Sequence, residues 1–302
     1  MEQNHTLKAI IKEWLEIKQI SVKTSTYYRY VYIIGQYILP FFGDITMKEL
    51  EDFNFNKFVI YQQKTIGPVS IKNNMVMFKS ILGYASKRYG YRFQLDFIAI
   101  PKTHTEELRV LSTKEKNKLE KYCLEKNDLR HLGIIICLNT GLRVGEICAL
   151  KWDCIDLERR CIKVTKTIQR IYNKEDRNSM VVIDVPKSQT SIRTIPISTK
   201  LYNILKPLKK DYNKNCYFLS GSATVYKEPR TYQQFFKDCV EKCNINNFHF
   251  HQLRHTFATD CINVGMDTKS LSEVLGHSNV KITLDRYVHS SFQAKKKYLE
   301  KL

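Results

Sequence analysis

The C-terminal third of this chain carries side chains suited to phosphate chemistry. The stretch HFHQLRHTFATD places His251 three residues before Arg254, with His255 directly after, and LGHSNVKITLDRYVH places Tyr287 ten residues after His277. An arginine presents a rigid fork of donors to phosphate oxygens, and a histidine handles protons near neutral pH. A tyrosine oxygen can form a phosphoester similar in energy to the bond that it replaces. Together these residue types predict a site that binds one phosphodiester and attacks it covalently.

Two further segments add candidates to this set. TGLRVGEICAL places Arg143 and Glu146 on one helix face, and VPKSQTSIRTIPI places Lys187 at the tip of a predicted hairpin between the strand-like segments MVVIDVP and IRTIPI. Arginines would neutralise charge on the non-bridging oxygens, and a flexible loop lysine can reach into a site and donate a proton. The cationic cluster is also expected to make the phenol of Tyr287 easier to ionise.

Each of these candidates also has a plainer interpretation. Arg143 and Glu146 can form a surface ion pair of little energetic value, a lysine at a hairpin tip is usually solvated, and a tyrosine usually packs its ring. His251 and His255, at i and i+4, can also hold a metal ion, but the glutamate of H-E-x-x-H is missing and Asp260 is the one acidic residue nearby. We therefore favour an anion site and expect neither a metal nor a cofactor.

The charge of the whole chain indicates a polyanionic partner. Its 302 residues carry 49 Lys and Arg against 30 Asp and Glu, a net charge of +19, and residues 1–105 hold 14 basic against 8 acidic residues. Both halves are therefore basic, which favours two surfaces that grip one nucleic acid over a single basic tail; a solubilising surface is the alternative.

The sequence also indicates where the protein works. No stretch approaches the ~20 apolar residues of a membrane-spanning helix. The start MEQNHTLKAI lacks the order of a signal peptide, and the nine cysteines form no C-x-x-C pair, so we expect them to be reduced and mostly buried. We expect a cytoplasmic, nucleoid-associated protein with no membrane partner.

The elements that must position the candidate residues are mainly helices. Apolar residues recur at helical spacing through the first hundred residues, with one run ending at Pro40, and Ser112 with Glu115 predicts a capped helix start. Between the helices, CIKVTKTIQRIY, MVVIDVP and IRTIPI are typical of strands. We therefore predict a mainly α chain with a small β-sheet: an all-helical N-terminal domain over 1–100, a linker over 101–109, and an α+β catalytic domain with a C-terminal tail over 110–302.

The order of these motifs resembles the tyrosine recombinase family, also called phage integrases. TGLRxGE, a hairpin lysine, HxLRHTFAT, LGHS and a tyrosine in DRYVH follow one another as in that family, and the first hundred residues are similar to its core-binding domain. The resemblance implies a role for each candidate. Arg143 and Arg254 would bind the phosphate, Lys187 would protonate the leaving 5′ oxygen, His251 would assist proton transfer from the tyrosine, His277 would hydrogen-bond the phosphate, Glu146 would support the site, and Tyr287 would be the nucleophile joined to the DNA 3′ end. Lys163, Lys166 and Arg193 lie in the same β region and are alternatives to Lys187.

The resemblance also implies an activity and partners. We expect the protein to clamp duplex DNA at its recombination sites, to form a homotetramer on two paired sites, and to exchange strands through a Holliday junction. Accessory DNA-bending or excision factors are the expected further partners. The amino-acid sequences of these motifs most resemble those of integrases of conjugative transposons, which favours integration or excision of a mobile element. Xer-type resolution of chromosome dimers, DNA relaxation like that of a type IB topoisomerase, and a non-catalytic DNA-binding regulator are the alternatives. Many integrases carry an additional N-terminal domain that binds arm sites, whereas here the resemblance to the core-binding domain begins almost at Met1. We therefore expect either that the protein uses a single type of DNA site or that an arm-binding domain has been removed from the chain.

Overall fold

The fold is described from a computed structural model, which covers residues 4–102, 109–173, 178–184 and 191–287. The chain forms two compact units, one from Met1–Glu106 with Ile171–Met180, the other from Glu107–Arg170 with Val181–Leu302. Helices dominate both units, and the strands form two small sheets. The predicted mainly α fold with a small β component is therefore confirmed.

The N-terminal unit packs helices around an apolar core. In its first helix Leu7, Ile10, Ile11 and Trp14 recur at helical spacing and are buried, so the helix presents an apolar stripe to the rest of the unit. The helices of this unit are α1 (Leu7–Ser21), α2 (Thr24–Ile33), α3 (Leu39–Phe42), α4 (Met47–Glu51), α5 (Asn56–Gln63) and α6 (Pro68–Tyr89).

The predicted end of a helical run at Pro40 is wrong. After α2 the backbone continues through a π-helical segment, Ile34–Ile38, directly into α3. Pro40 stands in α3 directly after the π-helical segment, where the N–H of Leu39 donates to the carbonyl of Ile34, and the helix accommodates the missing N–H of Pro40 at this irregularity. The run ends at Gly43, whose φ of 57° lies in the left-handed region.

The second unit surrounds one helix, α8 (Leu129–Thr140), whose middle is fully buried. Every residue of its run LGIIICL, 132–138, is buried, and α7, α10 and α12 pack against this helix. As predicted, Ser112 and Glu115 form a capping box at the start of α7. The helices of this unit are α7 (Thr113–Lys126), α8 (Leu129–Thr140), α9 (Val144–Ala149), α10 (Thr199–Leu205), α11 (Pro229–Lys242), α12 (Phe250–Asn263), α13 (Thr268–Leu275) and α14 (Val280–Tyr287).

The strands pair differently from the predicted hairpin. In one sheet β2 (Cys161–Val164) lies between β1 (Ile155–Asp156) and β5 (Arg193–Pro196), antiparallel to both, and Val164 faces Arg193. The second sheet consists of β3 (Thr167–Asn173) and β4 (Asn178–Asp184). The segments MVVIDVP and IRTIPI therefore contribute to different sheets, because IRTIPI pairs with β2. Lys187, which we expected at a hairpin tip between them, lies outside the described residues.

The cysteines behave as small apolar side chains. All nine are free, and eight of them are buried, as the sequence predicts. No helix in the described part of the chain is both long and apolar enough to cross a bilayer.

Candidate active site

Glu146 joins two of the arginines of the second unit. Arg143 precedes α9, where its backbone N–H and its guanidinium each donate to the Glu146 carboxylate at 2.9 Å. Arg193 of β5 grips the same carboxylate with two nitrogens, both at 2.9 Å. The Glu146 side chain is only 3% exposed and that of Arg193 5%. The plain surface pair that the sequence allowed is therefore an Arg–Glu–Arg cluster in which Glu146 and Arg193 are buried.

Arg254 lies on α12, in the interior of the unit. It is 2% exposed, and its two terminal nitrogens donate to the backbone carbonyls of Gly141, at 2.9 Å, and Leu275, at 2.6 Å. Gly141 has a φ of 66°, and a Cβ there would stand 2.6 Å from Phe257 of α12. A glycine is needed where α8 ends, because the backbone there approaches α12 closely.

The C-terminal end of α13 gathers the three arginines. Gly276, with a φ of 65°, donates to Glu273, and His277 donates to Ser272, which is the Schellman pattern of a helix end. The next three carbonyls each accept from an arginine instead: that of Val274 from Arg193 at 2.6 Å, that of Leu275 from Arg254, and that of Gly276 from Arg143 at 3.3 Å. A helix C-terminus carries partial negative charge, so it favours these cations.

Helix α14 brings Tyr287 to this cluster. The Nδ1 of His277, the residue that follows the α13 cap, is 2.8 Å from the hydroxyl of the buried Thr283. The rings of His277 and Tyr287 are parallel, with centroids 6.4 Å apart. Tyr287 is 8% exposed, and its hydroxyl lies 2.7 Å from Nδ1 of His255. The nucleophile candidate is thus held from two neighbouring elements.

His251 lies on the same helix as His255, one turn earlier. Their rings meet edge to face with centroids 4.7 Å apart. His251 keeps an exposed surface, whereas His255 is 5% exposed. The ring that bonds the Tyr287 hydroxyl is therefore the buried one.

The histidines of the cluster are neutral near pH 7. Loss of solvent, followed by the positive charges of Arg254 and Arg143, lowers the pKa of His277 to about 3. Burial, followed by the charges of Arg286 and Arg254, lowers the pKa of His255 to about 4. Desolvation also lowers the pKa of His251 well below its usual value, and the charges of its neighbours act in the same direction. Each neutral ring can therefore accept a hydrogen bond.

Tyr287 keeps its proton. Burial raises the pKa of its hydroxyl above the ordinary value of 10.0, although Arg254, Arg286 and Arg143 act in the opposite direction. The expectation that the cationic cluster makes this phenol easier to ionise is therefore wrong for the net effect, because desolvation outweighs the charges. The tyrosine needs a partner that takes its proton.

The structure brings together six of the seven residues singled out for the site: Arg143, Glu146, His251, Arg254, His277 and Tyr287. Arg193 and His255 join them, although the sequence analysis had treated Arg193 only as an alternative to Lys187 and had given His255 no role beyond a metal site. Alternation within β5 was a usable signal, because Arg193 shares its buried face with Ile195. Among the residues that the structure describes, no three His, Cys, Asp or Glu side chains gather as a metal site would need.

We predict that the Glu146 carboxylate stabilises the second unit in a pH-dependent way. Burial alone would raise the pKa of Glu146, but the hydrogen bonds and charge of Arg193, with Arg143, hold it at about 2. A carboxyl with a lowered folded pKa contributes stability that is present above its unfolded pKa, near 4.5, and is lost as the pH falls toward 2. Relative to the parent, Glu146→Gln should lower the free energy of unfolding by roughly 3 kcal/mol at pH 7, and the difference should shrink below pH 4.5.

Urea unfolding can be followed through the fluorescence of Trp152, which is buried in the second unit, after Trp14→Phe removes the other tryptophan. Glu125→Gln is the matched control, since Glu125 forms an exposed helical pair with Lys121 and should change stability by less than ~0.5 kcal/mol. A difference between parent and Glu146→Gln that stays the same from pH 7 to pH 2.5 would contradict the ionised carboxylate.

Two family models match this chain, and curated proteins are similar to it. The model of the Phage integrase family matches residues 103–294, and that of the phage integrase N-terminal SAM-like domain matches residues 6–61. The tyrosine recombinase XerC-like protein of Caldanaerobacter subterraneus subsp. tengcongensis is 28% identical over 95% of this chain and 80% of its own length. The transposase from transposon Tn916 of Enterococcus faecalis is 29% identical over 66% of this chain, and the match covers 51% of that protein.

Solved structures share the fold. The Tn1549 transposon integrase in complex with a circular intermediate DNA gives a TM-score of 0.80 at 22% identity, over 99% of this chain and 100% of that one. A lambda integrase dimer bound to a core site gives 0.66 at 17% identity, over 94% and 95% of the two chains. Since the first family model alone spans more than half of the residues, this chain belongs to the phage integrase family, the tyrosine recombinases.

Proposed function

We propose that this protein is a site-specific DNA recombinase that cleaves and rejoins duplex DNA through a phosphotyrosine at Tyr287. The observation that carries the proposal is the cluster itself. A protonated tyrosine hydroxyl lies beside neutral histidines and within the field of Arg254 and Arg143. Such a set offers a nucleophile, acceptors for its proton, and cations for the phosphate, which together are what a reversible transesterification needs.

In the proposed reaction Tyr287 attacks a backbone phosphate and becomes joined to the 3′ end, while the 5′ oxygen leaves. Arg143 and Arg254 hold the non-bridging oxygens. Both guanidinium groups are already positioned by hydrogen bonds to backbone carbonyls, and the side chain of Arg143 is 36% exposed, so a phosphate can reach it. His277 donates a hydrogen bond to the phosphate, and Glu146 holds Arg143 in place. His251 assists the movement of the tyrosine proton, and Lys187 protonates the leaving 5′ oxygen. Rejoining reverses each step, so neither ATP nor a cofactor is required.

Duplex DNA is the proposed partner. The related integrases in the solved structures are described as bound to transposon circular intermediate DNA and to a core site, and the net charge of +19 suits a polyanion. We assign DNA core binding to residues 1–100, the linker to 101–109, and catalysis to 110–302. A homotetramer on paired sites, accessory DNA-bending or excision factors and a nucleoid location complete the proposal.

Integration or excision of a mobile element is the proposed biological outcome, because the relatives include transposases and a transposon integrase. Resolution of chromosome dimers is the second candidate, and the XerC-like name of another relative favours it. The identity of the cleaved sites separates the two, since element ends and a chromosomal resolution site differ. Relaxation of supercoils without a preferred site would indicate activity like that of a type IB topoisomerase.

We predict that Tyr287→Phe abolishes covalent DNA adducts while the fold and DNA affinity survive, since the change removes one oxygen and keeps the ring. The protein is incubated with fragmented DNA of its host, adducts are captured under denaturing conditions, and the DNA ends are sequenced. Tyr202→Phe is the matched control, because Tyr202 lies on α10 between Arg160 and Lys206 and outside the cluster. Adducts at parental yield from Tyr287→Phe would show that the nucleophile is another residue.

Lys187 is tested by changing the leaving group. Lys187→Ala should cleave ordinary DNA ~100- to 10,000-fold more slowly, the usual contribution of a positioned general acid. A substrate with sulfur at the bridging 5′ position needs no such acid and should restore much of the cleavage. Arg143→Ala should not be rescued in this way, because its proposed work is on the non-bridging oxygens. Rescue of a Lys163 or Lys166 variant, but not of Lys187→Ala, would show that another lysine is the acid.

A further inference from the structure

His255 is in direct contact with the reacting oxygen of Tyr287, to which Arg286 also donates a hydrogen bond. Its Nδ1 lies 2.7 Å from the hydroxyl, and the two ring centroids are 5.5 Å apart. His251, to which the resemblance assigns assistance with this proton, contacts the ring of His255. The geometry therefore gives the two histidines different positions along the path of the proton.

Both partners of this hydrogen bond are uncharged in their surroundings. The groups that face the pair are Arg254 and His251 on α12, Arg286 on α14, and Arg143 before α9. Burial and the arginines keep the imidazole neutral near pH 7, and burial keeps the phenol protonated although the same arginines act in the opposite direction. Arg286 donates to the Tyr287 oxygen, so the hydroxyl hydrogen can point to Nδ1, which accepts it when the ring carries its own hydrogen on Nε2.

The helix around His255 is fixed on both sides. Arg254 is anchored to two backbone carbonyls, and the Thr256 hydroxyl both accepts from the backbone N–H of Leu111 at 3.0 Å and donates to the carbonyl of Gln252 at 2.9 Å. An acceptor held on a pinned helix keeps its geometry when the substrate arrives. Any polar group could accept a hydrogen bond from the Tyr287 hydroxyl for packing alone. The acceptor here is an imidazole, which can also take up the proton.

We infer that His255 is a catalytic residue that takes the proton of Tyr287 during cleavage and returns it during rejoining; this assignment rests on the proposed function. As the Tyr287 oxygen bonds to phosphorus, its proton passes to Nδ1 of His255. The bond from phosphorus to the 5′ oxygen breaks, and that oxygen receives a proton from a separate acid. In the reverse step the 5′ hydroxyl returns its proton to that separate acid as its oxygen attacks phosphorus. The bond from phosphorus to the Tyr287 oxygen breaks, and the departing phenolate recovers its proton from His255.

His255→Asn separates proton transfer from simple holding. An asparagine can present its amide oxygen near the position of Nδ1, so it can still accept the Tyr287 hydrogen bond, but it cannot take up the proton. We measure the rate of adduct formation on duplexes that carry the sites recovered by sequencing, with sulfur at the bridging 5′ position so that the acid step is bypassed. His255→Asn should be slower than the parent by at least ~100-fold, the lower end for general base catalysis. A rate near or above that of the parent would overturn the assignment.

A second substrate tests whether the histidine variant has lost more than proton transfer. In a Tyr287→Phe background, DNA with a 3′-nitrophenyl phosphate can be joined to a neighbouring 5′ hydroxyl, and nitrophenolate leaves without needing a proton. Adding His255→Asn should slow nitrophenol release far less than it slows tyrosine cleavage, whereas Arg254→Ala should abolish release. Equal losses in both assays would mean that His255 only supports the structure, and would overturn the assignment.

Two outcomes separate this inference from the proposed function. If the parent forms no covalent adduct, or if Tyr287→Phe forms it normally, the proposed function fails and the His255 assignment fails with it. If the parent behaves as proposed but His251→Asn, in place of His255→Asn, loses tyrosine cleavage while retaining nitrophenol release, His251 is the acceptor and only the His255 assignment is overturned.

Discussion

The rest of the cluster depends on the hydrogen bonds that three arginines donate to the backbone carbonyls at the end of α13. The Schellman turn at Gly276 uses the carbonyls of Ser272 and Glu273, and the following three are satisfied by Arg193, Arg254 and Arg143. Hydrogen bonds to a charged group contribute about 1.5–3 kcal/mol each, and leaving such groups buried without partners is costlier still. One helix end thus ties together a strand, a helix and a helix start that are far apart in sequence.

This arrangement leaves the cluster short of negative charge. Among the residues described here, Glu146 is the carboxylate that pairs with Arg143 and Arg193, while Arg254 bonds only neutral carbonyls. Burial and the charge of the neighbouring Arg143 lower the pKa of Arg254 below its ordinary value, because a buried charge without an ionic partner is unfavourable. A phosphodiester supplies the missing negative charge, and donors that are already fixed need little reorganisation to stabilise it. The same cations and the same burial keep the histidines neutral, which suits them to accept protons.

Local patterns predicted much of this molecule. The Ser112 capping box depends on spacing within one element, which the sequence reports directly. The candidate residues were named from several short motifs and from the order in which these follow one another, and the structure brings six of the seven together. The partner of IRTIPI depended on pairing across the chain, because β5 joins β2 and not β4. The prediction at Pro40 is wrong because the helix accommodates this proline directly after a π-helical segment, which the sequence pattern does not indicate. The contacts of His255 and the net effect on the Tyr287 pKa required knowledge of burial and distance, which no motif supplies.

The end of α13 holds the arginines in place before DNA arrives. Side-chain NMR of the DNA-free protein labelled with ¹⁵N-arginine measures this directly, with signals assigned by replacing each arginine with lysine in turn. We expect separate, slowly exchanging guanidinium signals for Arg193 and Arg254 at neutral pH, and rapid exchange for Arg159, whose side chain is 78% exposed. Guanidinium groups of Arg193 and Arg254 that exchange as fast as that of Arg159 until DNA is added would contradict it.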